Sequence, residues 1–472
     1  MTIRAVPTLA MAAALCLLSA CPEQEPVEET GDDAGSRRDA AFDAGLLEGP
    51  DAGPRVDAGA FDAGEADGGP QLATTERYWA NTQWPPYATL APGGKLMAYG
   101  QVWVPGGTDR AGAMPGLTVE LGHGPSGSDP AAGGWSWKQA AYNEEKGDND
   151  EYMAELIAPA SGPRDYAFRY RVAGARWDGH GEWLYANLAG VQPGSAGYAS
   201  DNAGKLAVRE AGFQLKVATL NLACLRDDPA ARLDAAAERF AALGVDAVAL
   251  QEVCADAAVL PGVAHSAEYL ARKLSESGRE YRALFHQTHL ANDVTPEGIG
   301  LVVAYPILAS SVAELPSSDF PRRALTALLA TRAGMVAMTS THFSFSPTAA
   351  AIRESQAAAL LAAADDWQKN PARPGGTLFV VGGDFNADPG EQAIAAMKVT
   401  FLDAWAQANG TAPGLTFPSY NPAKRIDYLF VRPPEGVTAS IAGASLEFAE
   451  PYSGSDRVSD HVGVSTLFSL QQ

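Results

Sequence analysis

Positive charge is what this sequence has least of. Lys and Arg number 34 against 56 Asp and Glu, for a formal charge of −22. That balance argues against a surface that binds polyanions indiscriminately, although metal ions at a site can supply positive charge locally. Beyond its N-terminus the chain lacks any apolar run long enough to span a bilayer. Cysteine is sparse, with four residues in 472. A chain of this length exceeds one ordinary domain, and about three segments are expected.

The first segment is a leader. "MTIRAVPTLAMAAALCLLSAC" carries Arg4, then an apolar run of small and aliphatic residues. The run is short for a membrane span and ends in small residues, which is the pattern of a secretory signal. Its end, Leu18-Ser19-Ala20-Cys21, resembles the bacterial lipoprotein box. That resemblance implies cleavage before Cys21, a lipid on Cys21, and membrane attachment through it. Pro22 stands where an Asp would signal inner-membrane retention, so an outer-membrane or cell-surface address is expected. Cys16 leaves with the leader. Cys224 and Cys254 remain as an even pair in an oxidising compartment.

From residue 22 to 72 the composition changes. Asp-Ala-Gly recurs at Asp33, Asp43, Asp51, Asp57 and Asp62, acids dominate, and aromatics are nearly absent. Such a stretch buries too little apolar surface to offset its ordering entropy, so it reads as a disordered tether.

Residues 73–210 read as all-β. "KLMAYGQVWV", "GLTVELGHG", "WSWKQAAY", "EYMAELIAP" and "RDYAFRYRV" are short aromatic and β-branched runs separated by Gly, Pro, Asn and Asp. Tyr166, Phe168 and Tyr170 alternate with Ala167, Arg169 and Arg171. The segment resembles the immunoglobulin-like or carbohydrate-binding sandwiches appended to secreted bacterial enzymes. Trp135, Trp137, Trp177 and Trp183 fit either core packing or a stacking platform for a glycan ligand.

Residues 211–472 alternate strands and helices, long enough for a large α/β core. "FQLKVATLNL" and "VDAVALQEV" are strands. Between them, Asp228-Pro229 is an N-cap followed by proline at the first helical position. Leu233, Ala237, Phe240 and Leu243 form one helical face, and Gly244 ends the helix. A second helix is expected from Ser346-Pro347 through Ile352, Leu360 and Leu361 to Trp367. It leads into "LFVVGGDFNADP", a buried strand ending in two glycines, then Asp384 and Asn386. Turn chemistry accounts for these types, but in extended chain positions i and i+2 point the same way, so both face one spot.

Polar residues recur where apolar strands run out. Asn221, Glu252, His342 and Asp384 end strands, Asp427 opens "DYLFV", and Asp460-His461 precede "VGV". Ligands of α/β folds bind outside strand ends. The order Asn, Glu, His, Asp-x-Asn, Asp, Asp-His resembles the endonuclease/exonuclease/phosphatase superfamily, carried by "LQEV", "GGDFNADP", "RIDYLFV" and "SDHVGV" over about residues 213–470. The resemblance implies a four-layer α/β/β/α sandwich and metal-dependent hydrolysis of a phosphodiester.

A phosphodiester is an anion that repels hydroxide, and a divalent cation offsets this charge. By the resemblance, Glu252 and Asn221 hold Mg²⁺ (or Mn²⁺ or Ca²⁺), joined by Asp460 directly or through water. Asp384 orients or deprotonates water, and Asn386 donates to the transition state. His461, oriented by Asp427, and His342 flank the phosphate. Glu297 matches the acid that pairs with His342 in nuclease-like members, and Arg322 or Arg323 matches a phosphate-binding arginine. In this fold the Asn221 and Glu252 strands are neighbours, so a Cys224–Cys254 disulfide is expected to brace their loops.

A nuclease acting on extracellular DNA or RNA is thus the expected function. A phospholipid or sphingomyelin phosphodiesterase, or a phosphomonoesterase, would use the same site. The 211–472 segment contains Trp367 and Trp405 but no other tryptophan and no aromatic hairpin for membrane insertion. It has "YNPAKRIDY" where inositol polyphosphate phosphatases carry "PAWCDR". A non-catalytic surface binding protein is the remaining alternative, but decay would have cost a catalytic group.

Overall fold

A computed structural model describes residues 75–370 and 376–471. The leader, Cys21 and the Asp-Ala-Gly tether lie outside the described residues.

The first β-rich region forms two sheets. In one, β1 (Trp79–Trp84), β3 (Lys95–Trp103), β7 (Asn149–Ile157) and β6 (Ala141–Lys146) lie in that order. In the other, the order is β2 (Tyr87–Leu90), β10 (Gly204–Val208), β8 (Gly162–Val172), β4 (Leu117–Pro125) and β5 (Ser136–Gln139), with β9 (Leu184–Tyr185) also on β8. Period-two alternation in β8 sends Tyr166, Phe168 and Tyr170 into the core and Arg169 and Arg171 outward. The run "WSWKQAAY" does not form one strand. It breaks at Ala140, where the chain leaves the β4 partner of β5 for the β7 partner of β6. Of the four tryptophans, Trp177 is core, edge-on to Tyr78. Trp137 and Trp183 sandwich the Arg169 guanidinium at 4.0 Å each on the outer face.

Two six-stranded sheets follow. The first runs β13 (Arg282–Ala291), β14 (Thr295–Val303), β12 (Ala247–Cys254), β11 (Gln214–Asn221), β22 (Gly463–Gln471), β21 (Thr438–Glu447). The second runs β15 (Ile307–Leu315), β16 (Arg322–Thr331), β17 (Gly334–His342), β18 (Leu378–Asp384), β20 (Asp427–Arg432), β19 (Leu402–Asp403). β11/β12 and β17/β18 pair in parallel, and their connections carry the helices α1 (Pro229–Leu243) and α3 (Ala350–Lys369). The strands share one apolar core, with Val217, Leu301, Met338, Val380 and Phe468 inside it. On one outer face α1 and α2 (Ser266–Ser275) pack Phe240 and Leu270 onto Val248 and Leu250. On the other, α3 and α4 (Gln392–Thr400) pack Leu360 and Met397 onto Phe379. A short α5 (Ala404–Asn409) follows β19.

The caps of α1 match the expectation: Asp228 Oδ1 accepts from Ala231 N at 3.2 Å, Pro229 is the first helical residue, and Gly244 has φ 63°. α3 starts at Ala350, later than Ser346-Pro347 suggests. The preceding segment is held as a loop because Arg353 Nη1 donates to Ser344 O and Ser346 O.

The β-rich region packs on the turn end of β16 and β17. Met335 N donates to Thr89 Oγ1 at 3.0 Å, and Arg332 pairs with Glu210.

Candidate active site

The first glycine of "VVGGD" has a steric role. A Cβ on Gly382 would meet Ala249 Cβ at 2.7 Å and Thr219 Cβ at 3.1 Å, on the facing sheet. Glycine therefore lets the two sheets approach closely just before the strands end. Asn221 and Glu252 from one sheet thereby meet Asp384 from the other. Register does the rest: His342 lies opposite Asp384 in the parallel ladder, and Asp427 opposite Asp384 in the antiparallel one.

Asp384 is the hub and is 1% exposed. Its Oδ2 accepts from Asn221 Nδ2 at 3.2 Å and lies 3.4 Å from His342 Nε2 and 3.6 Å from His461 Nε2. Its Oδ1 accepts from the Asn386 backbone N–H at 2.9 Å. His461 Nδ1 meets Asp427 Oδ2 at 2.9 Å and Oδ1 at 3.1 Å. Ser459 Oγ accepts from His461 N and donates to Asn221 O at 2.6 Å, which ties the His461 loop to β11. The Asn386 side chain donates to Phe343 O at 3.1 Å, leaving its second N–H uncommitted to that bond.

Electrostatics separate the two histidines. Burial alone would lower His461, but the Asp427 and Asp384 carboxylates outweigh it and raise the ring to about 10. His342 is held well below its ordinary value, first by burial and then by Arg322 and His461. His461 is thus an imidazolium between two carboxylates, and His342 a neutral ring. Burial pushes Asp384 up to about 7, with Asp427 and Glu252 adding to it and His461 opposing.

Glu252 sits on a β-bulge, where register slips between Leu250 and Val253, with φ 49°. A non-glycine residue in that region is strained and needs support. The Cys224–Cys254 disulfide supplies it: the bond is formed, with the Cα atoms 5.1 Å apart. Asn221 Nδ2 also donates to Glu252 Oε1 at 3.0 Å, while its Oδ1 is engaged by Ala223 N. Asp460 Oδ2 accepts from Arg226 Nη1 at 2.7 Å.

Glu297 does not pair with His342. In the β13/β14 ladder it lies directly across from His289, with Nε2 to Oε1 at 3.6 Å, whereas His342 faces Asp384. Burial, followed by the nearby Glu252, pushes Glu297 up to about 7. The two candidate arginines separate by strand alternation. Arg322 is buried, bonded to Asp319 at 3.0 Å, and lines the cleft, while Arg323 turns to Glu314 on β15.

His342, Asp384, Asn386, His461 and Arg322 line a cleft of about 230 Å³. Glu252, Glu297, Asp384 and Asp460 all reach it, with Arg322 and the His461 ring as the cationic groups among its lining residues. Oxygen donors in such excess suit a hard divalent cation. The Asp384–Asp427–His461 group is close enough to hold an ion, but the histidine already joins its carboxylates.

The cleft also holds residues that motif reading missed. His289 stacks on Phe320 at 4.2 Å, Phe417 packs on His461 at 4.8 Å, and Phe345 lies at the rim. Only Phe345 had a local signal, the alternation in "HFSF" that buries Phe343 and exposes Phe345.

A model of the Endonuclease/Exonuclease/phosphatase family matches residues 218–461. Among solved structures, an endonuclease/exonuclease/phosphatase family protein from Leptotrichia buccalis C-1013-b is 18% identical, with TM-score 0.43, over 53% of this chain and 98% of that one. The endonuclease/exonuclease/phosphatase from Bacteroides vulgatus is 19% identical, with TM-score 0.42, over 55% of this chain and 100% of that one. The human Nocturnin catalytic domain with bound sulfate anion is 19% identical, with TM-score 0.43, over 55% of this chain and 94% of that one. No curated protein matches the chain.

Proposed function

Because the chain belongs to the Endonuclease/Exonuclease/phosphatase family, we propose that it is a divalent-metal-dependent phosphodiester hydrolase of nuclease type. The observation that carries this reading is His461, held as an imidazolium between Asp427 and Asp384 at the wall of an acid-lined cleft. An acid-rich cleft with a buried cationic ring suits a phosphate only when a metal offsets the acids.

Glu252 and Asp460, with Asn221 beside them, would hold Mg²⁺, Mn²⁺ or Ca²⁺, which supplies positive charge against the phosphate and the leaving oxygen. Asp384 orients the attacking water and accepts its proton, a role that its raised pKa, about 7, suits. His461 donates through Nε2 to a phosphate oxygen, and Asp427 fixes its tautomer. Neutral His342 and Arg322 meet the phosphate from the other wall. The free N–H of Asn386 donates to the transition state, where negative charge builds.

In this reading residues 211–472 form a four-layer α/β/β/α catalytic domain and residues 73–210 an immunoglobulin-like sandwich. The half-buried Trp137–Arg169–Trp183 stack on the outer face supports a glycan ligand there. The Leu18-Ser19-Ala20-Cys21 box supports lipidation of Cys21 and an outer-membrane or surface location, hence an extracellular nucleic acid as substrate.

A substrate panel tests the proposal: plasmid DNA, RNA, sphingomyelin, bis(p-nitrophenyl) phosphate and p-nitrophenyl phosphate, each with Mg²⁺ and with chelator. Nucleic acid and the aryl diester should be cleaved with Mg²⁺, and chelator should abolish both activities. His461→Ala should lower kcat/KM by about 10²–10⁴-fold. Cleavage of the monoester alone, or activity that survives chelation, overturns the reading. Cleavage of sphingomyelin without nucleic acid moves the substrate to lipid.

A further inference from the structure

Beside the cleft lies a second cavity of about 430 Å³. Phe345, Asn386 and Phe417 line both, so the cavity opens at the position proposed to meet the transition state. Its remaining walls differ in chemistry. Pro347 and Ile426 are apolar, and Lys424 stands at the edge, exposed and without an ion-pair partner among the described residues. The other cation, Arg353, is already committed to Glu391 at 2.8 Å and to two backbone carbonyls.

The aromatic walls are held in place from behind. Phe345 is 55% exposed, yet its backbone N–H is pinned to Asp319 Oδ2, and Asp319 also holds Arg322. Phe417 and Lys424 exchange backbone hydrogen bonds at 3.0 and 2.9 Å, closing a turn that carries Tyr420 at 73% exposure. A preformed backbone bearing an exposed ring keeps the entropy cost of binding low.

We propose that this cavity is the subsite for one nucleoside of the substrate, with Phe345 and Phe417 flanking its base and Lys424 reaching the next phosphate. The inference rests on the hydrolase reading and names the substrate class for it. Aromatic faces take any base, because every base has a π-face, and a lone cation beside them suits a polyanionic strand. A hydrocarbon chain fits poorly, since Asp388 and the Arg353–Glu391 pair line the same cavity and lose hydration against it. Base stacking on an exposed ring requires an unpaired base, so single strands are preferred over duplex.

Three esters with one leaving group test this: thymidine 5′-(p-nitrophenyl phosphate), thymidine 3′-(p-nitrophenyl phosphate) and methyl p-nitrophenyl phosphate. The wild-type protein with Mg²⁺ should favour one thymidine ester over the methyl ester by at least tenfold in kcat/KM. Phe345→Ala should reduce that ratio about tenfold, the scale of one lost stacking contact, and Phe345→Tyr should restore it. Lys424→Ala should shallow the salt dependence of oligothymidylate binding, measured with Mg²⁺ in an Asp384→Asn background that slows cleavage, by about 0.7 in log–log slope. A wild-type ratio near one, or a ratio unmoved in Phe345→Ala, overturns the subsite while leaving the hydrolase reading intact. If none of the three esters is cleaved, the hydrolase reading itself fails.

Discussion

The buried Lys205–Asp165 pair of the β-rich region and the charges of the cleft follow opposite rules. In the former, Lys205 Nζ meets Asp165 Oδ1 at 2.9 Å, and Asp165 also accepts from Gly127 N and Ser126 Oγ. Each ion of this pair has a counter-ion and hydrogen bonds that replace its water. In the cleft, one Asp384 oxygen faces two histidines and an amide, with the Asp427 and Glu252 carboxylates nearby. Backbone strain follows the same division, since Glu252 and Asn386 both sit at positive φ. The Lys205–Asp165 pair is satisfied by the fold, while the groups in the cleft are left for something else to complete.

The largest expected effect contrasts the two regions directly. Glu252→Gln should lower kcat/KM by at least about 10³-fold, while the thermal midpoint of the chelated protein holds or rises, because one crowded carboxylate is gone. Lys205→Met should do the reverse. It leaves Asp165 buried without a counter-ion, at a cost of about 3–5 kcal/mol, with the activity of the folded fraction unchanged. Denaturant melts and initial rates on both variants read this, and equal destabilisation by the two would break the comparison.

The disulfide sharpens it next. Its closed loop spans a sequence separation of 30. Replacing both cysteines with serine should cost about 3–4 kcal/mol by the loop-entropy estimate. Because the bond flanks Asn221 and Glu252, the metal concentration for half-maximal rate should also rise, which a purely structural staple would leave unchanged.

The smallest effect is in pH dependence. The folded Asp384 titrates near 7, above the unfolded value of about 3.9. Its protonated form is therefore favoured by folding. That contribution is complete below about pH 4 and is lost as pH rises through 7. Activity runs the other way, because the base works as a carboxylate. kcat/KM should climb through the same interval, and Asp384→Asn should remove the climb. A flat profile in the wild type would detach Asp384 from the proton transfer.

Features written in local chemistry were legible early. The Asp228-Pro229 start and Gly244 stop of α1 depend on neighbours within one turn, and the acids, amides and histidines at strand ends stand out against apolar runs. Features that depend on a partner strand were not. The break at Ala140 reflects two different sheets, and the delayed start of α3 reflects where Arg353 reaches. Glu297 looked like a partner for His342, yet ladder register gave it His289. Arg322 and Arg323 are equivalent in sequence and opposite in space, because alternate residues of a strand face opposite ways.

By itself, the amino-acid order determined which chemical groups this protein has, at which strand ends they stand, and which cysteines can brace them. Hydrophobic period and capping act over a few residues, so they can be read along the chain. Only the tertiary structure decided which charges oppose each other, which histidine is protonated, and that aromatic rings from separate loops border one cavity. Those outcomes depend on distance and desolvation between segments far apart in sequence, and a steric fact as small as Gly382 sets how closely the two sheets approach.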